Sequence, residues 1–299
     1  MESPIFAIPA GASVLLLFTM TLMLSGALHN WLKGWSVLGF VLIILFANEL
    51  SKNPNLRKEN KAYGLTYSGA GVPYSNAEIK SRLIDEKTIN GSFRNEVNAL
   101  NQWKKNTNSN TLFIVNTSGG GLRSALWTYY CLANIDSITA APLLNKTRFI
   151  SGASGGMIGA SYYRELHLRK QLLSDFTFSI DKYGDLHGLI DKPLSYYRVF
   201  TENGSLPFLL LTPTIINDGR RLMVSSLPLN FMYKPHLDKK IGPRKGFIEL
   251  IDFQTYFKTK GADSLRFTTA LRMNSTFPFV LPNIFLPTEP QIQVMDAGL

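Results

Sequence analysis

Uncharged, hydrophobic residues are concentrated at the start of the chain. No residue between positions 4 and 32 is charged, and a second uncharged run covers residues 34–48. The most apolar part of the first run, residues 5–24, would span about 30 Å as a helix, which matches the hydrocarbon core of a bilayer. We therefore predict that residues 1–50 form a transmembrane helical hairpin whose connection lies at Lys33.

Basic residues near the two runs predict the orientation of this hairpin. Trp31 and Trp35 flank Lys33, and tryptophan is typical of a membrane interface. Four basic residues follow the second run: Lys52, Arg57, Lys58 and Lys61. By the positive-inside rule we expect an integral membrane protein whose soluble body lies in the cytoplasm. Two alternatives stay open, a cleaved signal peptide and a helical pair buried in a soluble fold.

The remaining chain divides at about residue 108. Residues 51–107 are polar, and we interpret them as a juxtamembrane linker and the start of the soluble domain, with a short helix over residues 77–85. Residues 108–299 carry the regular pattern of a folded domain.

That domain opens with a strand, a glycine-rich loop and a helix. Residues 112–115 form a continuous apolar run of strand length, typical of a strand buried on both faces. The loop of residues 116–121 follows, and apolar residues then recur at helical spacing over residues 122–133. The same order returns with a strand at residues 148–150, a tight turn and a helix over residues 157–170. Repeated units of this kind predict an α/β fold with a mainly parallel sheet.

Later segments are less regular. The apolar residues 206–211 fit a core strand. We predict further strands at residues 265–271 and 292–294. The chain then stops in a turn-like sequence directly after the last strand, so we expect a fragment that lacks its C-terminal part.

Charge and rare residue types exclude several kinds of site. The net charge is +10, and since the first 50 residues carry a net −1, the rest carries +11. A basic body favours anionic lipid surfaces, but its charges are scattered without the interleaved aromatic residues expected of a nucleic-acid-binding patch. A single cysteine, Cys131, excludes an internal disulfide framework, and the four histidines lie too far apart for a zinc site. We expect no metal, no cofactor and no nucleic-acid partner.

A serine lies in the tight turn after the second predicted strand. Residues 152–156 read Gly-Ala-Ser-Gly-Gly and match G-x-S-x-G, in which a sharp strand-to-helix turn exposes the serine hydroxyl. Gly152 and Gly156 remove side chains that would clash in such a turn. Ser154 is therefore a candidate nucleophile, and an ordinary glycine-rich turn is the alternative.

Three consecutive glycines precede the first helix of the domain. The backbone N–H groups of Gly119, Gly120 and Gly121 lie at the positive end of the helix dipole, where they can hold an anion. Opposite a nucleophile, such a loop is an oxyanion hole, and Arg123 is placed to orient it or to meet a phosphate. A Walker-type phosphate loop is disfavoured because no Gly-Lys-Ser/Thr follows, whereas a helix-capping loop remains an alternative.

Asp296 follows the last predicted strand and is a candidate base. A Ser-His-Asp triad would also need a histidine, and His167, His187 and His236 lie in no motif that favours this role. A Ser–Asp dyad needs none. Taken alone, an aspartate before Ala-Gly is usually a turn residue.

Together the three segments resemble the signatures of the patatin-like phospholipases. They are Ser118–Arg123, Gly152–Gly156 and Asp296–Gly298, in the order in which the family has them. The segment Asn274–Pro282 also resembles the Ser-x-x-x-Pro stretch that precedes the family's catalytic aspartate. The resemblance covers residues 108–299, about two thirds of the chain.

This resemblance implies a Ser–Asp acyl hydrolase on a three-layer α/β/α fold that cleaves carboxylic esters of membrane (phospho)lipids. Ser154 is then the nucleophile and Asp296 the base, and the three glycines hold the oxyanion with Arg123 beside them. Ala297 departs from the family, which usually has glycine there. A Cβ at that position costs about 1 kcal/mol if the backbone needs a positive φ. Family members also continue beyond this aspartate.

Two other functions stay open at this point. The chain could be a catalytically inactive relative that binds lipid or a partner, a reading supported by Ala297 and the abrupt end. It could also bind a nucleotide or phosphate with the triglycine loop.

Overall fold

The computed structural model describes residues 10–51, 60–83, 85–139, 143–168, 190–233, 248–277 and 281–298. The chain forms two compact units, Met1–Glu59 and Asn60–Leu299. The first unit contains an apolar helical stretch, and the second is a mixed α/β domain with parallel strand pairs.

The N-terminal unit is one long apolar helical stretch and not a hairpin. Helix α1 (Ala10–Leu32) passes through a 3₁₀ turn (Lys33–Trp35) into helix α2 (Ser36–Ser51). Within it, the 36 residues Leu15–Leu50 are long and apolar enough to cross a membrane. Length and composition of this kind are shared by membrane anchors and signal sequences.

The predicted hairpin is wrong because the break expected at Lys33 is itself helical. Lys33 itself has a positive φ of 47°. However, Leu32 and Ser36 on either side keep right-handed helical dihedral angles, and the Ser36 N–H donates to the Lys33 carbonyl oxygen, so the 3₁₀ turn joins the two helices directly. No non-helical connection therefore separates the two apolar runs.

The second unit has helices distributed along its whole described length. They are α3 (Asn76–Leu83), α4 (Glu86–Thr107), α5 (Gly121–Ile138), α6 (Leu143–Lys146), α7 (Ser154–Leu168), α8 (Leu194–Glu202), α9 (Phe253–Tyr256) and α10 (Phe267–Ser275). Short 3₁₀ turns cover Asn230–Tyr233, Lys258–Lys260 and Ala262–Ser264.

Ten strands form three sheets in the described part of this unit. The strands are β1 (Val72–Pro73), β2 (Phe113–Thr117), β3 (Thr147–Gly152), β4 (Phe208–Leu211), β5 (Thr214–Ile215), β6 (Arg221–Met223), β7 (Leu250–Asp252), β8 (Ile284–Leu286), β9 (Thr288–Glu289) and β10 (Ile292–Met295). Their orders are β2-β3-β4, β7-β6-β5-β10-β8 and β1-β9.

The three-stranded sheet is parallel throughout, as the repeated strand–helix units predict. The five-stranded sheet is mixed, because β10 pairs antiparallel with both β5 and β8, and β5 with β6, whereas β6 and β7 are parallel. A bridge between Leu211 and Val224 links the two sheets. The apolar residues 206–211 contribute β4, which is largely buried, so they form a core strand.

Helix α4 lies in the segment that the sequence led us to interpret mainly as a linker. It begins after Asp85, whose carboxylate accepts a hydrogen bond from the Thr88 N–H at 3.0 Å. It ends at Asn108, which has a left-handed φ of 46°. Ile89 and Trp103 are buried on the domain. The compact domain therefore includes this segment from Asn60 onward.

Two local predictions also differ from the structure. Strand β2 lies at the edge of its sheet, with Ile114 65% exposed, instead of being buried on both faces. Residues 265–271 contribute to helix α10 and not to a strand. Phe267, Ala270 and Asn274 are buried there at spacings of three and four, which is the helical period.

Candidate active site

The site is built where three parallel strands end side by side. The last register pairs of the sheet are Thr117 with Gly152 and Gly152 with Leu211. The carboxyl ends of parallel strands meet at one edge of a sheet, where ligands usually bind in α/β folds. Helices α5 and α7 begin directly after β2 and β3, so both helix N-termini start at this edge.

Ser154 occupies a strained backbone position at the first residue of α7. Its φ is +50°, a left-handed value that non-glycine residues rarely adopt, and the residue is half-buried. Gly152, two residues earlier, also has a positive φ, and a Cβ there would lie 2.1 Å from Thr117 Oγ1. This is the sharp strand-to-helix turn expected of a nucleophile elbow.

The elbow packs directly against the triglycine loop. A Cβ on Gly155 would lie 1.8 Å from the Gly121 carbonyl oxygen, and a Cβ on Gly156 would lie 2.2 Å from that of Ser118. Both contacts are with backbone, which cannot move aside as a flexible side chain can. Glycine at these two positions therefore allows the close approach of the two loops.

The triglycine loop passes beside the serine. A Cβ on Gly119 would lie 3.4 Å from Ser154 Cβ, and both Gly120 (φ 139°) and Gly121 (φ 62°) have positive φ. The Ser124 hydroxyl donates to the Ser118 carbonyl oxygen at 2.6 Å and so fixes the loop to the first turn of α5.

Arg123 is exposed on that same turn of α5. Within the described part of the chain we find no hydrogen bond or ion pair from its side chain to the loop. Of the residues predicted for the oxyanion hole, the structure therefore brings Gly119 to Ser154 and Gly121 to Gly155, and leaves Arg123 at the surface.

Asp296 is buried beside the elbow. Its side chain is almost inaccessible, and Oδ1 accepts a hydrogen bond from the Gly298 N–H at 2.7 Å. Oδ2 is also buried and has no hydrogen-bond partner among the described residues. A Cβ on Gly298 would lie 3.7 Å from Cβ of Ala153, so the Asp296 turn lies against the residue that precedes Ser154.

The alanine after Asp296 fits its turn without strain. Among the described residues, the non-glycine positions with positive φ are Lys33, Asn108 and Ser154, and Ala297 is not one of them. The cost expected for an alanine in this position therefore does not arise. The Ala297 carbonyl oxygen accepts a hydrogen bond from Arg221 Nη1 at 2.8 Å, which helps to hold the turn.

Of the three histidines in the domain, His167 is the one that lies within the described residues, and it is far from Ser154. His167 lies near the end of α7, 13 residues after Ser154, which corresponds to about 20 Å along the helix axis. It is therefore unsuited to complete a triad with Ser154. His187 and His236 lie outside the described residues, as do residues 278–280 of the Ser-x-x-x-Pro segment.

Sequence reasoning did not single out one residue that contacts the site, Asn274 on α10. Its side chain is buried and donates from Nδ2 to the Gly152 carbonyl oxygen at 3.1 Å. The motif resemblance includes Asn274, but no local pattern marks its amide, because the partners lie 62 and 122 residues away.

No protein-family model, curated protein or solved structure matches the chain. The resemblance to patatin-like phospholipases therefore depends on the three motifs, and the function drawn from it is a proposal.

Proposed function

We propose that this chain is a membrane-tethered lipid acyl hydrolase of the patatin-like kind. It would cleave carboxylic esters of (phospho)lipids through a Ser154–Asp296 dyad on a three-layer α/β/α fold. The observation that carries the proposal is the left-handed backbone conformation of Ser154 at the start of α7. The triglycine loop packs on Gly155, which follows the serine, and the Asp296 turn packs on Ala153, which precedes it. A plain glycine-rich turn gives no reason for a non-glycine residue to adopt this conformation.

In the proposed reaction Ser154 Oγ attacks the ester carbonyl carbon while Asp296 Oδ2 accepts its proton. The carbonyl oxygen becomes an oxyanion, which the backbone N–H groups of Gly119, Gly120 and Gly121 stabilise. The C–O bond then breaks, the leaving alcohol takes the proton from Asp296, and an acyl-enzyme remains. Asp296 then takes a proton from a water molecule as the water oxygen attacks the acyl carbonyl carbon. The bond from that carbon to Ser154 Oγ breaks, the proton passes from Asp296 to Oγ, and the fatty acid leaves.

The hydrogen bonds of Asp296 support its assignment as the base. Oδ1 is held by the Gly298 N–H, so the carboxylate has a fixed orientation. Oδ2 is buried and unpartnered within the described chain. A buried carboxylate oxygen without a hydrogen bond is costly in a purely structural turn. Oδ2 makes no hydrogen bond to Ser154 Oγ, so the proposed proton transfer requires the two groups to approach when substrate binds.

A catalytically inactive relative is the alternative. Its structural support was Ala297, and the absence of a positive φ there removes the expected distortion of the Asp296 turn. The active assignment therefore agrees better with the geometry.

The apolar helical stretch gives the proposed enzyme its tether. We infer that the domain lies on the cytoplasmic side, because Lys52, Arg57, Lys58 and Lys61 follow the stretch whereas only Glu2 is charged before it. Labelling of a Ser51→Cys variant in intact cells tests this orientation. Modification by an impermeant maleimide added from outside would contradict it.

Labelling with a fluorophosphonate probe tests the proposed dyad. We expect the full chain in detergent to be labelled, and Ser154→Ala and Asp296→Asn to abolish or strongly reduce labelling while both variants stay folded. The matched control is Ser161→Ala, since Ser161 is buried on the same helix and its hydroxyl has no partner among the described residues. This control should be labelled at the rate of the unmodified chain.

The same samples decide between the candidates. Labelling lost in both dyad variants and kept in Ser161→Ala supports an activated serine, and release of fatty acid from phospholipid vesicles then tests the substrate class. A folded, unlabelled chain would contradict the proposal and favour the inactive relative. Saturable nucleotide binding that is lost in Gly120→Asp would favour the phosphate-binding alternative.

A further inference from the structure

We infer that Asn274 is a positioning residue that aligns the two halves of the Ser154–Asp296 dyad, an inference that depends on the proposed function. It is carried by a set of hydrogen bonds from one buried residue to the elbow, to a neighbouring strand and to the aspartate turn.

The side chain of Asn274 bridges two strand ends. Its Nδ2 donates to the Gly152 carbonyl oxygen at 3.1 Å, and its Oδ1 accepts from the Thr212 N–H at 2.8 Å. Gly152 is the last residue of β3 and Thr212 directly follows β4. The amide therefore ties the strand that leads into the elbow to the adjacent strand.

The backbone next to this side chain holds the other half of the dyad. The Asn274 carbonyl oxygen accepts from the Ala297 N–H at 3.3 Å, and the Thr276 carbonyl oxygen accepts from the Asp296 N–H at 2.9 Å. The end of α10 is therefore bonded to the base through its main chain and to the elbow through the Asn274 side chain.

The chemistry of this position requires an amide. The Gly152 carbonyl needs a donor and the Thr212 N–H needs an acceptor, and a neutral asparagine supplies both at one planar group. An aspartate of the same shape keeps the acceptor but, when ionised, presents a second acceptor to the Gly152 oxygen. An alanine removes both hydrogen bonds from these partly buried backbone groups.

A role in alignment differs from a role in stability in what it changes. Displacement of the elbow by a fraction of an ångström lowers the rate at which a correctly folded site reacts, since attack depends on near-ideal geometry. A residue that acts only on stability instead lowers the fraction of molecules that are active, and each active molecule reacts at the normal rate.

The test measures both quantities with the full chain in detergent. Fluorophosphonate labelling to completion counts the active sites, and the rate of labelling per active site reports alignment. We expect Asn274→Ala and Asn274→Asp to label at least tenfold more slowly per active site. With a soluble aryl ester, we expect kcat to fall by a similar factor and KM to change less than about twofold.

Asn230→Ala is the matched control. Asn230 is also fully buried, but neither side-chain polar atom has a hydrogen-bond partner among the described residues. It should change the number of active sites without changing the rate per site. Because Asn274→Asp has the shape of asparagine, it keeps the test usable if Asn274→Ala does not fold.

The outcomes separate the two proposals. Slow labelling per site in the Asn274 variants supports the positioning role. An unchanged rate per site with fewer active sites overturns it and leaves the dyad intact. Failure of the unmodified chain to label overturns the dyad itself.

Discussion

At the residue scale, the candidate site is defined by positions at which a Cβ cannot fit. Gly155 and Gly156 approach backbone oxygens of the triglycine loop, and Gly152 approaches Thr117. Close approaches to backbone also occur away from the site, at Gly64 and Gly204, whereas some glycines have free space around them. Gly91 on α4, for example, is exposed and has no atom near its missing Cβ.

This contrast predicts opposite effects of the same substitution. Gly155→Ala should lower the free energy of unfolding by about 1–3 kcal/mol, because Cβ and the Gly121 carbonyl oxygen cannot both keep their places. Gly91→Ala should raise it by about 0.5–1 kcal/mol, because alanine is the better helix former. Urea unfolding measures both. A neutral Gly155→Ala would show that the two loops can separate freely.

Ala297→Gly is a second substitution at this scale. Since Ala297 has no positive φ, a glycine there relieves no strain and adds flexibility beside the base. We expect labelling by the fluorophosphonate to stay within about twofold, and the stability to fall by about 0.5 kcal/mol. A large gain in labelling rate would show that alanine misaligns Asp296.

At the element scale, Asp252 joins two elements and a loop through buried hydrogen bonds. It ends β7, caps α9 by accepting from the Thr255 N–H at 2.8 Å, and accepts from the Leu229 N–H at 3.1 Å. Burial raises its pKa to about 6, although the hydrogen bonds oppose this shift. The folded chain therefore retains a proton on Asp252 in a pH range where the unfolded chain has lost it.

The direction of the resulting pH dependence follows from linkage. The contribution of Asp252 to stability is fully present below about pH 4 and is lost as the pH rises through about 6. Asp252→Asn removes this titration. The difference in free energy of unfolding between the unmodified chain and Asp252→Asn should therefore fall by about 2.5 kcal/mol between pH 4 and pH 7. Parallel pH profiles of the two proteins would contradict the buried titration.

An element could be predicted when the residues that mark its start and end lie close together in the sequence. The strand–loop–helix units at β2–α5 and β3–α7 were predictable because glycine runs and apolar runs mark their boundaries. Helix α4 was missed although its apolar residues recur at helical spacing, because the many polar residues between them favoured the interpretation as a linker. These residues are Ile89, Phe93, Val97, Leu100 and Trp103. Helix α10 was mistaken for a strand because a short apolar run fits both periods.

The arrangement of the candidate site was predictable only in part. The motifs identified the loops, and parallel strand ends bring Gly119 and Ser154 together. The hydrogen bonds from Asn274 to the elbow and from Arg221 to the Asp296 turn cross long stretches of sequence, so no short segment contains both partners of either bond.

At the scale of the whole molecule, exposed apolar residues adjoin the segments of the site. Leu122 directly follows the triglycine loop and is 77% exposed, and Phe277 follows Thr276, which is bonded to Asp296, and is 54% exposed. Under the proposed function, a lipid would have to bring its acyl ester out of the bilayer to reach Ser154. Apolar side chains around the site would lower the cost of that transfer, because the acyl chain would pass from one apolar surface to another.

The proposed function therefore predicts that a charge among these exposed apolar residues slows the hydrolysis of bilayer substrates but not of soluble ones. Phe277→Asp should slow release of fatty acid from anionic phospholipid vesicles about tenfold or more, since a carboxylate there meets both acyl chains and anionic headgroups. Hydrolysis of a soluble short-chain ester should change less than about twofold. The matched control is Ile138→Asp at the opposite end of α5, about 25 Å from Gly121 along the helix. Equal losses on both substrates would instead show that Phe277 helps to hold Ser154 and Asp296 in position. Equal losses in Phe277→Asp and Ile138→Asp would show a general effect of charge on membrane binding.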